Sequence, residues 1–285
     1  TAALCRGTKG DTVIRIRPRS AGLAALALTA SALTTSALAA AGPANAGSVD
    51  QYVALGDSYS AGNGAFSTNL DASCNRNTYA YPYLVSQQRA NTALTFVACS
   101  GAKTTDVVNT QVASLSTSTN YVSITIGGND VGFSTLIANC IGWSDAQCKT
   151  AVDSTNSQIA NQLPAELDSA YAAIHQHAPN ATTVVVLGYP RAFGSKLSCA
   201  AAAGTDSTKA GWLNGVADNL DTTIGGRARA AGFVYESSIA SFTGHDICAS
   251  DPWLNGTTFS LADSWHPTRS GYANGLEPEV RAAIG

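Results

Sequence analysis

Five short apolar runs, each followed by a longer stretch with helical periodicity, constrain the fold of this chain most strongly. The runs have the composition of buried strands, and they cover residues 52–55, 94–98, 121–126, 182–187 and 233–236. Helical segments are predicted at about 81–89, 104–115, 145–177, 207–231 and 268–284. Strands that alternate with helices predict an α/β fold with a mostly parallel, five-stranded sheet covered on both faces.

The segment from 145 to 177 has the clearest helical pattern. Its apolar residues recur at three- or four-residue spacing, as on the buried face of a helix, and they are Ile159, Leu163, Leu167, Tyr171 and Ile174. Pro164 lies inside this stripe and should kink or divide the helix. The segment from 237 to 265 has no such pattern and is predicted to be a loop.

Residues 1–46 have the composition of a secretory signal peptide. A segment with three arginines precedes an uncharged stretch from 21 to 41, and Ala44-Asn45-Ala46 provides a small-x-small cleavage site. A retained membrane anchor is the alternative, because the stretch is nearly long enough to span a bilayer. Its Ala, Thr and Ser content is weakly hydrophobic, so we expect cleavage after Ala46. Residues 47–285 would then be a single secreted, extracellular domain.

Charge excludes several classes of partner. The whole chain has a formal net charge of −3, and without the leader eleven basic and eighteen acidic residues remain, a formal charge of −7. The basic residues are few and scattered, so nucleic-acid binding is not expected. An acidic surface also argues against electrostatic capture by anionic membranes. We expect a monomer with no stable membrane insertion after cleavage.

Cysteine usage fits an exported protein. Six cysteines remain once Cys5 is removed with the leader, and they are Cys74, Cys99, Cys140, Cys148, Cys199 and Cys248. An even count in a secreted chain implies three disulfides, with fifteen possible pairings. Pairing between neighbours is the simplest arrangement, but the count alone does not select it. A metal site is the alternative, yet no C-x-x-C spacing or histidine cluster supports one. We expect no metal and no cofactor.

Three polar motifs directly follow predicted strands. Gly56-Asp57-Ser58 ends the first run, Gly101 follows the second, and Gly127-Gly128-Asn129-Asp130 ends the third. Parallel strands end at one edge of a sheet, which is the edge where ligands bind in α/β proteins. Each motif also has a structural interpretation: Asp57 and Ser58 can cap a helix, Gly101 can be an ordinary turn glycine, and Asp130 can serve a turn.

Serine hydrolysis requires a nucleophile, a base, a group that orients the base and donors for the oxyanion. Ser58 can be the nucleophile and His266 the base, and Asp263, three residues before the histidine, can reach its far ring nitrogen. The N–H groups of Ser58 and Gly101 and the side-chain amide of Asn129 can form the oxyanion hole.

These motifs resemble, in order and broad spacing, the four sequence blocks of the SGNH, or GDSL, hydrolase family. The similarity covers nearly all of residues 50–285 and is greatest to secreted actinobacterial esterases, lipases and phospholipases A. It implies a flavodoxin-like three-layer α/β/α fold, three disulfides between neighbouring cysteines, and the catalytic roles given above. Some relatives orient the histidine with a backbone carbonyl, here that of Ser264, so Asp263 and this carbonyl are both candidates.

The expected function is hydrolysis of acyl esters, in a lipid or phospholipid, through an acyl-enzyme intermediate. Small acetyl or aryl esters and acetylated polysaccharides are the nearest alternative substrates. Acyl transfer, in which an alcohol replaces water, is a second alternative. A non-catalytic binding protein that keeps the fold is a third.

Overall fold

A six-stranded sheet is the centre of the computed structural model, which describes residues 14–16, 48–202, 204–260 and 262–285. Its strands are β1 (Ile14–Ile16), β2 (Asp50–Gly56), β3 (Thr92–Phe96), β4 (Tyr121–Thr125), β5 (Thr183–Leu187) and β6 (Val234–Glu236). The order across the sheet is β1-β3-β2-β4-β5-β6. The pairings from β3 to β6 are all parallel, and β1 pairs antiparallel with β3. The predicted five-stranded parallel sheet is thus confirmed.

Strand β1 is the part of the sheet that the sequence did not predict. It has three residues and lies inside the segment interpreted as a leader, at the outer edge of β3. The rest of that segment, including the cleavage site at Ala46, lies outside the described residues. The five parallel strands pair with one another without β1.

Nine α-helices occur within the described ranges. They are α1 (Ser58–Ala61), α2 (Tyr81–Gln88), α3 (Thr104–Asn109), α4 (Phe133–Gly142), α5 (Asp145–Asn161), α6 (Leu163–His177), α7 (Ser207–Ala230), α8 (Ser238–Ser241) and α9 (Glu277–Ile284). Short 3₁₀ helices cover Gln111–Ser114 and Ala200–Ala202, and a π-helical turn, Gly271–Leu276, leads into α9. None of the described helices is both long and apolar enough to cross a bilayer.

The predicted and observed helices differ mainly in where a helical segment is interrupted. Pro164 divides the 145–177 segment as expected, because it occupies the first turn of α6, where its missing N–H needs no partner. The 104–115 segment breaks at Thr110 into α3 and a 3₁₀ helix. Two helices, α4 and α8, were not predicted, and α8 lies in the segment predicted as loop.

Helices cover both faces of the sheet. On one face α2 and α9 pack against each other, and α2 also contacts β3 while α9 contacts β5 and β6. On the other face α5, α6 and α7 all contact one another, and α6 contacts α3 as well. The apolar stripe predicted for the 145–177 segment is buried in this second layer. The three-layer α/β/α prediction is therefore confirmed.

The strand order determines where a ligand can bind. Among the parallel strands it is β3-β2-β4-β5-β6, the flavodoxin-like order, in which the chain reverses direction across the sheet between β2 and β4. The crevice at the carboxyl ends of these two strands is the usual binding position. Ser58 follows β2 and Asn129 follows β4, so both lie at this reversal point.

Three disulfides join neighbouring cysteines: Cys74–Cys99, Cys140–Cys148 and Cys199–Cys248. This is the pairing that the family resemblance implies. Beside the first bond, the Ser100 N–H donates to the Cys74 carbonyl oxygen at 3.1 Å. The bond therefore ties the loop that contains Gly101 to the loop that follows α1.

Candidate active site

The end of β2 is fixed by a glycine that no other residue could replace without rearrangement. Gly56 has φ +119°, and a Cβ there would lie 2.5 Å from the carbonyl oxygen of Thr125. The Gln111 side chain accepts from the Gly56 N–H at 2.7 Å and donates to its carbonyl oxygen at 2.9 Å. The strand thus stops at a defined position, directly before Asp57 and Ser58.

Asp57 is buried and caps α1. Its carboxylate accepts hydrogen bonds from the Tyr59 N–H at 3.0 Å, from the Thr125 hydroxyl at 2.7 Å and from the Tyr189 hydroxyl. Burial raises the pKa of Asp57 to about 6, although all three hydrogen bonds favour the ionised form. The carboxylate is therefore ionised at pH 7. The capping role that the sequence suggested is present, and the same group also joins the ends of β2, β4 and β5.

Ser58 is the first residue of α1, directly after the cap. N–H groups in the first turn of a helix have no acceptor within the helix and favour negative charge beside them. The Ser58 side chain is buried, and its Oγ lies 2.6 Å from Nε2 of His266. The structure therefore brings together a hydroxyl and an imidazole that are 208 residues apart in the chain.

A tight turn before His266 orients its ring. Nδ1 lies 2.7 Å from the backbone carbonyl oxygen of Ser264. Because a carbonyl only accepts, Nδ1 carries the proton, and Nε2 is left to accept from the Ser58 hydroxyl. Trp265, between them, has φ +62°, an unusual conformation for a bulky residue. The Tyr59 hydroxyl donates to the Trp265 carbonyl oxygen at 2.6 Å and holds this turn against α1.

The environment of His266 keeps the imidazole neutral. Burial lowers the pKa of His266 from its usual 6.5 to about 4, and this effect exceeds the opposing contributions of the Ser264 carbonyl and the nearby Asp263 carboxylate. A neutral imidazole can accept the proton of Ser58 at pH 7. The ring is therefore in the protonation state that a general base requires, but with a pKa of about 4 it is a weaker base than one whose pKa lies near the working pH.

Asp263 does not hydrogen-bond to His266, which corrects the preferred prediction for this residue. Its Oδ1 accepts from the Gly64 N–H at 2.7 Å, so the carboxylate points toward the loop after α1. The left-handed turn at Trp265 places the Ser264 carbonyl on the ring nitrogen instead. The second candidate, the backbone carbonyl, is thus the group in contact. Asp263 remains close enough to act on the histidine through its charge.

Gly101 and Asn129 lie on adjacent loops at the same edge of the sheet. The Asn129 side-chain amide donates one N–H to the carbonyl oxygen of Ala102 at 2.9 Å, and it carries a second N–H. Gly101 is exposed, has φ +81°, and borders a cavity of about 140 Å³ that Gln111 also lines. The hydrogen bond from Asn129 fixes the spacing of the two loops.

Asp130 has the structural role that the sequence suggested. Its carboxylate accepts from the Thr104 N–H at 3.1 Å and from the Thr104 hydroxyl at 2.6 Å. It therefore satisfies an N–H in the first turn of α3 and joins the loop after β4 to that helix.

Several residues that shape the site were missed by sequence reasoning. Tyr189 binds the Asp57 carboxylate and accepts from the Gly128 N–H at 3.1 Å. The Asn63 amide donates to the Ser100 hydroxyl at 3.0 Å and to the Ala262 carbonyl oxygen at 2.8 Å, and so connects both sides of the site. Tyr189 does follow a strand, at the same edge as the three motifs, and that position was the available signal.

No group of three or more His, Cys, Asp or Glu side chains that could hold a metal ion occurs among the described residues. The side chain of Ser58 contacts the His266 imidazole, and backbone N–H groups of the first turn of α1 lie beside it. These groups are suited to proton transfer and to stabilising an oxyanion.

Comparison with known proteins gives a consistent result. The family model described as the GDSL-like Lipase/Acylhydrolase family matches residues 54–273. Lipase 1 of Streptomyces coelicolor is 40% identical over 238 residues, which cover 83% of this chain and 87% of that protein. A lipase of Streptomyces rimosus is 38% identical over 271 residues, 95% of this chain and 100% of that protein.

Two crystal structures are also similar. An extracellular lipase from Streptomyces rimosus superposes with a TM-score of 0.78 at 39% identity, covering 82% of this chain and 99% of that one. A phospholipase A1 from Streptomyces albidoflavus also has a TM-score of 0.78, at 40% identity, covering 83% of this chain and 100% of that one. The match thus extends from the motifs to more than four-fifths of this chain.

Replacing Asp263 with Asn tests which group orients His266. The amide oxygen can still accept from Gly64, so the loop should hold, while the charge is removed. We expect kcat/KM on a soluble ester to fall by less than about tenfold, because Ser264 still holds the ring. Loss of the orienting acid of a Ser-His-Asp triad costs about 10⁴-fold. A loss of that size in Asp263→Asn, with normal folding by circular dichroism, would restore Asp263 as the orienting group.

The pKa of His266 predicts a low acid transition. Because burial lowers it to about 4, the ring should stay neutral well below pH 6.5. ¹⁵N chemical shifts of histidine-labelled protein, assigned with His266→Gln, should show this ring titrating near pH 4. As the pH falls, the unfolded chain binds a proton at this histidine before the folded protein does. The free energy of unfolding should therefore decrease between about pH 6.5 and 4. Titration of His266 at or above pH 6.5 in the folded protein would contradict the burial argument.

Proposed function

The chain belongs to the GDSL-like lipase/acylhydrolase family and is a serine ester hydrolase, and from this we infer that Ser58 is its nucleophile and His266 its general base. The observation that carries the assignment is the 2.6 Å contact between Ser58 Oγ and His266 Nε2. The Ser264 carbonyl is proposed to orient the ring, with Asp263 acting through its charge alone.

In the first half-reaction, Nε2 of His266 takes the hydroxyl proton as Ser58 Oγ attacks the ester carbonyl carbon. A tetrahedral intermediate forms, with the negative charge on the former carbonyl oxygen and a positive charge on the imidazole. The imidazolium then gives its proton to the leaving alcohol oxygen as the C–O bond breaks. The product of this step is an acyl-enzyme on Ser58.

In the second half-reaction, water replaces the alcohol. Nε2 takes a proton from the water as its oxygen attacks the acyl carbon, and it returns a proton to Ser58 Oγ when the acid leaves. An alcohol in place of water would give acyl transfer by the same route. Hydrolysis is the proposed outcome, and acyl transfer is the alternative.

The proposed oxyanion hole consists of the backbone N–H groups of Ser58 and Gly101 and the side-chain amide of Asn129. Its support is positional: Ser58 begins a helix, and Asn129 binds the loop that contains Gly101. Removing one donor of this kind costs about 3 kcal/mol of transition-state stabilisation. That energy is needed here, since a base with a pKa of about 4 is readily protonated only when an opposite charge develops beside it.

The proposed substrate is an acyl ester of a lipid or phospholipid. The named functions of the relatives, lipase and phospholipase A1, support this class. The alternative substrates are small acetyl or aryl esters and acetylated polysaccharides. We also propose that the chain acts as a monomer, with no stable membrane insertion after the leader is removed.

Ser58→Ala should abolish turnover while leaving the fold intact. We expect kcat to fall by at least about 10³-fold, because the acyl-enzyme cannot form. The measurement is hydrolysis of an ester panel from acetyl to long acyl, including phosphatidylcholine. Ser169→Ala, an exposed serine on α6, is the matched control and should keep full activity.

The same panel separates the alternatives. Preference for long acyl chains and for phosphatidylcholine supports a lipase, whereas confinement to acetyl esters supports the small-ester alternative. Product analysis with a competing alcohol distinguishes hydrolysis from transfer. Equal turnover by wild type and Ser58→Ala would end the serine assignment.

We further propose that residues 1–46 direct export and are removed after Ala46, which would also remove β1. N-terminal sequencing of protein from the culture medium should then begin Gly47-Ser48-Val49. The five parallel strands do not need β1 for their own pairing, so the processed protein should stay folded and active. Extracellular protein that still carries residues 14–16 would contradict this.

A further inference from the structure

Two phenylalanines are exposed on the loops that surround His266. Phe66 is 59% exposed and Phe259 is fully exposed, whereas an aromatic ring of this size is ordinarily buried in a soluble protein. The other large apolar residues with comparable exposure in the described ranges are valines: Val49, Val108 and Val234. The two most exposed large apolar side chains are thus aromatic and lie on these loops.

The backbone of Phe66 makes its position more unusual. It has φ +51°, in the left-handed region where glycine and asparagine are favoured and a bulky residue is strained. Neither packing nor backbone preference therefore explains a phenylalanine here. A side chain that costs conformational energy and is left in solvent suggests a contact made outside the protein.

The loop that carries Phe66 is packed directly on the backbone of His266. A Cβ at Gly64 would lie 2.8 Å from the Cβ of His266, so this contact requires a glycine. The Gly64 N–H donates to Asp263, and the Asn255 amide bonds the carbonyl oxygens of both Gly64 and His266, at 3.0 and 3.1 Å. The loop that carries Phe66 is therefore anchored beside His266, the proposed general base.

The loop that carries Phe259 is held by the residue that orients the histidine. The Thr258 N–H donates to the Ser264 hydroxyl at 2.9 Å, and the Ser264 N–H donates to the Ser260 carbonyl oxygen at 3.1 Å. A cavity of about 340 Å³ lies between the two loops, lined by Phe66, Ser260, Ala262 and Asp263. Phe66 lines this cavity, and Phe259 directly precedes Ser260 on its other side.

These loops carry no charge. Residues 62–70 and 254–262 contain no Lys, Arg, Asp or Glu. Two charged residues that contact these loops already have partners within the protein. Asp263 accepts from the Gly64 N–H. Arg269 donates to the Ala65 carbonyl oxygen, and its guanidinium lies 3.8 Å from the ring centroid of Tyr79. Two uncharged loops with exposed aromatic side chains are suited to contact a lipid surface without net charge. They are not suited to bind a polyelectrolyte or an anionic membrane.

We propose that Phe66 and Phe259 dock the enzyme on an uncharged lipid surface, such as a zwitterionic phospholipid layer, with the cavity between their two loops facing the lipid. The proposal rests on the proposed lipid-ester function and extends it. The rings enter the interface between head groups and acyl chains while the rest of the protein stays in water. Docking would bring an ester to Ser58 without drawing a whole lipid into solution.

The test measures binding and catalysis separately. Binding to phosphatidylcholine vesicles is followed by cosedimentation in a Ser58→Ala background, so that no lipid is consumed. We expect Phe66→Ser and Phe259→Ser each to weaken binding about tenfold, and the double variant to weaken it further. With Ser58 restored, the double variant should lose vesicle hydrolysis to a similar extent. It should keep kcat/KM on dissolved p-nitrophenyl acetate within about twofold.

Val49→Ser is the matched control, because Val49 is 45% exposed and lies just before β2, at the opposite end of the strand from Ser58. It should change neither binding nor hydrolysis. Unchanged vesicle binding in the double phenylalanine variant would overturn the proposal, as would equal losses in Val49→Ser. Binding that requires anionic lipid would replace it with an electrostatic mechanism. If the wild-type chain were a dimer that dissociates in the phenylalanine variants, and neither form bound vesicles, the two phenylalanines would contact a second copy of the chain instead of lipid.

Failure of the docking proposal is distinguishable from failure of the catalytic one. If Ser58→Ala keeps turnover but binds vesicles through the two rings, the catalytic assignment alone is wrong. If Ser58→Ala is inactive and vesicle binding does not depend on the rings, the docking proposal alone is wrong.

Discussion

The buried carboxylate of Asp57 is the interaction on which the arrangement of the site depends. It joins the cap of α1 to Thr125 at the end of β4 and to Tyr189 after β5, and Tyr189 in turn accepts from Gly128. An ionised group in a protein interior is tolerated only when donors replace the lost water. Its ionic form therefore favours one relative position of the three strand ends, and that position determines where the Ser58 hydroxyl lies.

The histidine reaches this position from the far end of the sequence, so its turn has to be held by long-range contacts. The Tyr59 hydroxyl binds the carbonyl oxygen of Trp265, and the Tyr272 hydroxyl donates to the carbonyl oxygen of Asn63 at 2.7 Å. Both bonds are buried and join the segment after Ser58 to the C-terminal segment. The pair is thus positioned by two tyrosines that perform no proton transfer.

Sequence reasoning could predict what depends on local pattern. The strands, the division at Pro164 and the shared edge of Ser58, Gly101 and Asn129 follow from periodicity and parallel topology. The predictions were weaker where contacts between distant residues determine the structure. Either the Asp263 carboxylate or the Ser264 carbonyl could hydrogen-bond to the His266 ring. The left-handed conformation of Trp265 selects the carbonyl, and no residue propensity predicts that conformation for a tryptophan. Tyr189 and Gln111 were missed for the same reason, because their partners are 132 and 55 residues away.

A carbonyl in place of a carboxylate beside His266 has a physical consequence for the base. A hydrogen-bonded carboxylate would favour the imidazolium strongly, whereas a carbonyl dipole compensates only part of the cost of burial, so the pKa stays near 4. The ring is then neutral before the reaction and is charged only while an oxyanion exists nearby. Under this arrangement much of the stabilisation of the ion pair must come from the oxyanion hole, with a smaller contribution from the charge of Asp263. Positioning of the loops that carry Gly101 and Asn129 therefore matters more here than in a triad whose acid contacts the histidine.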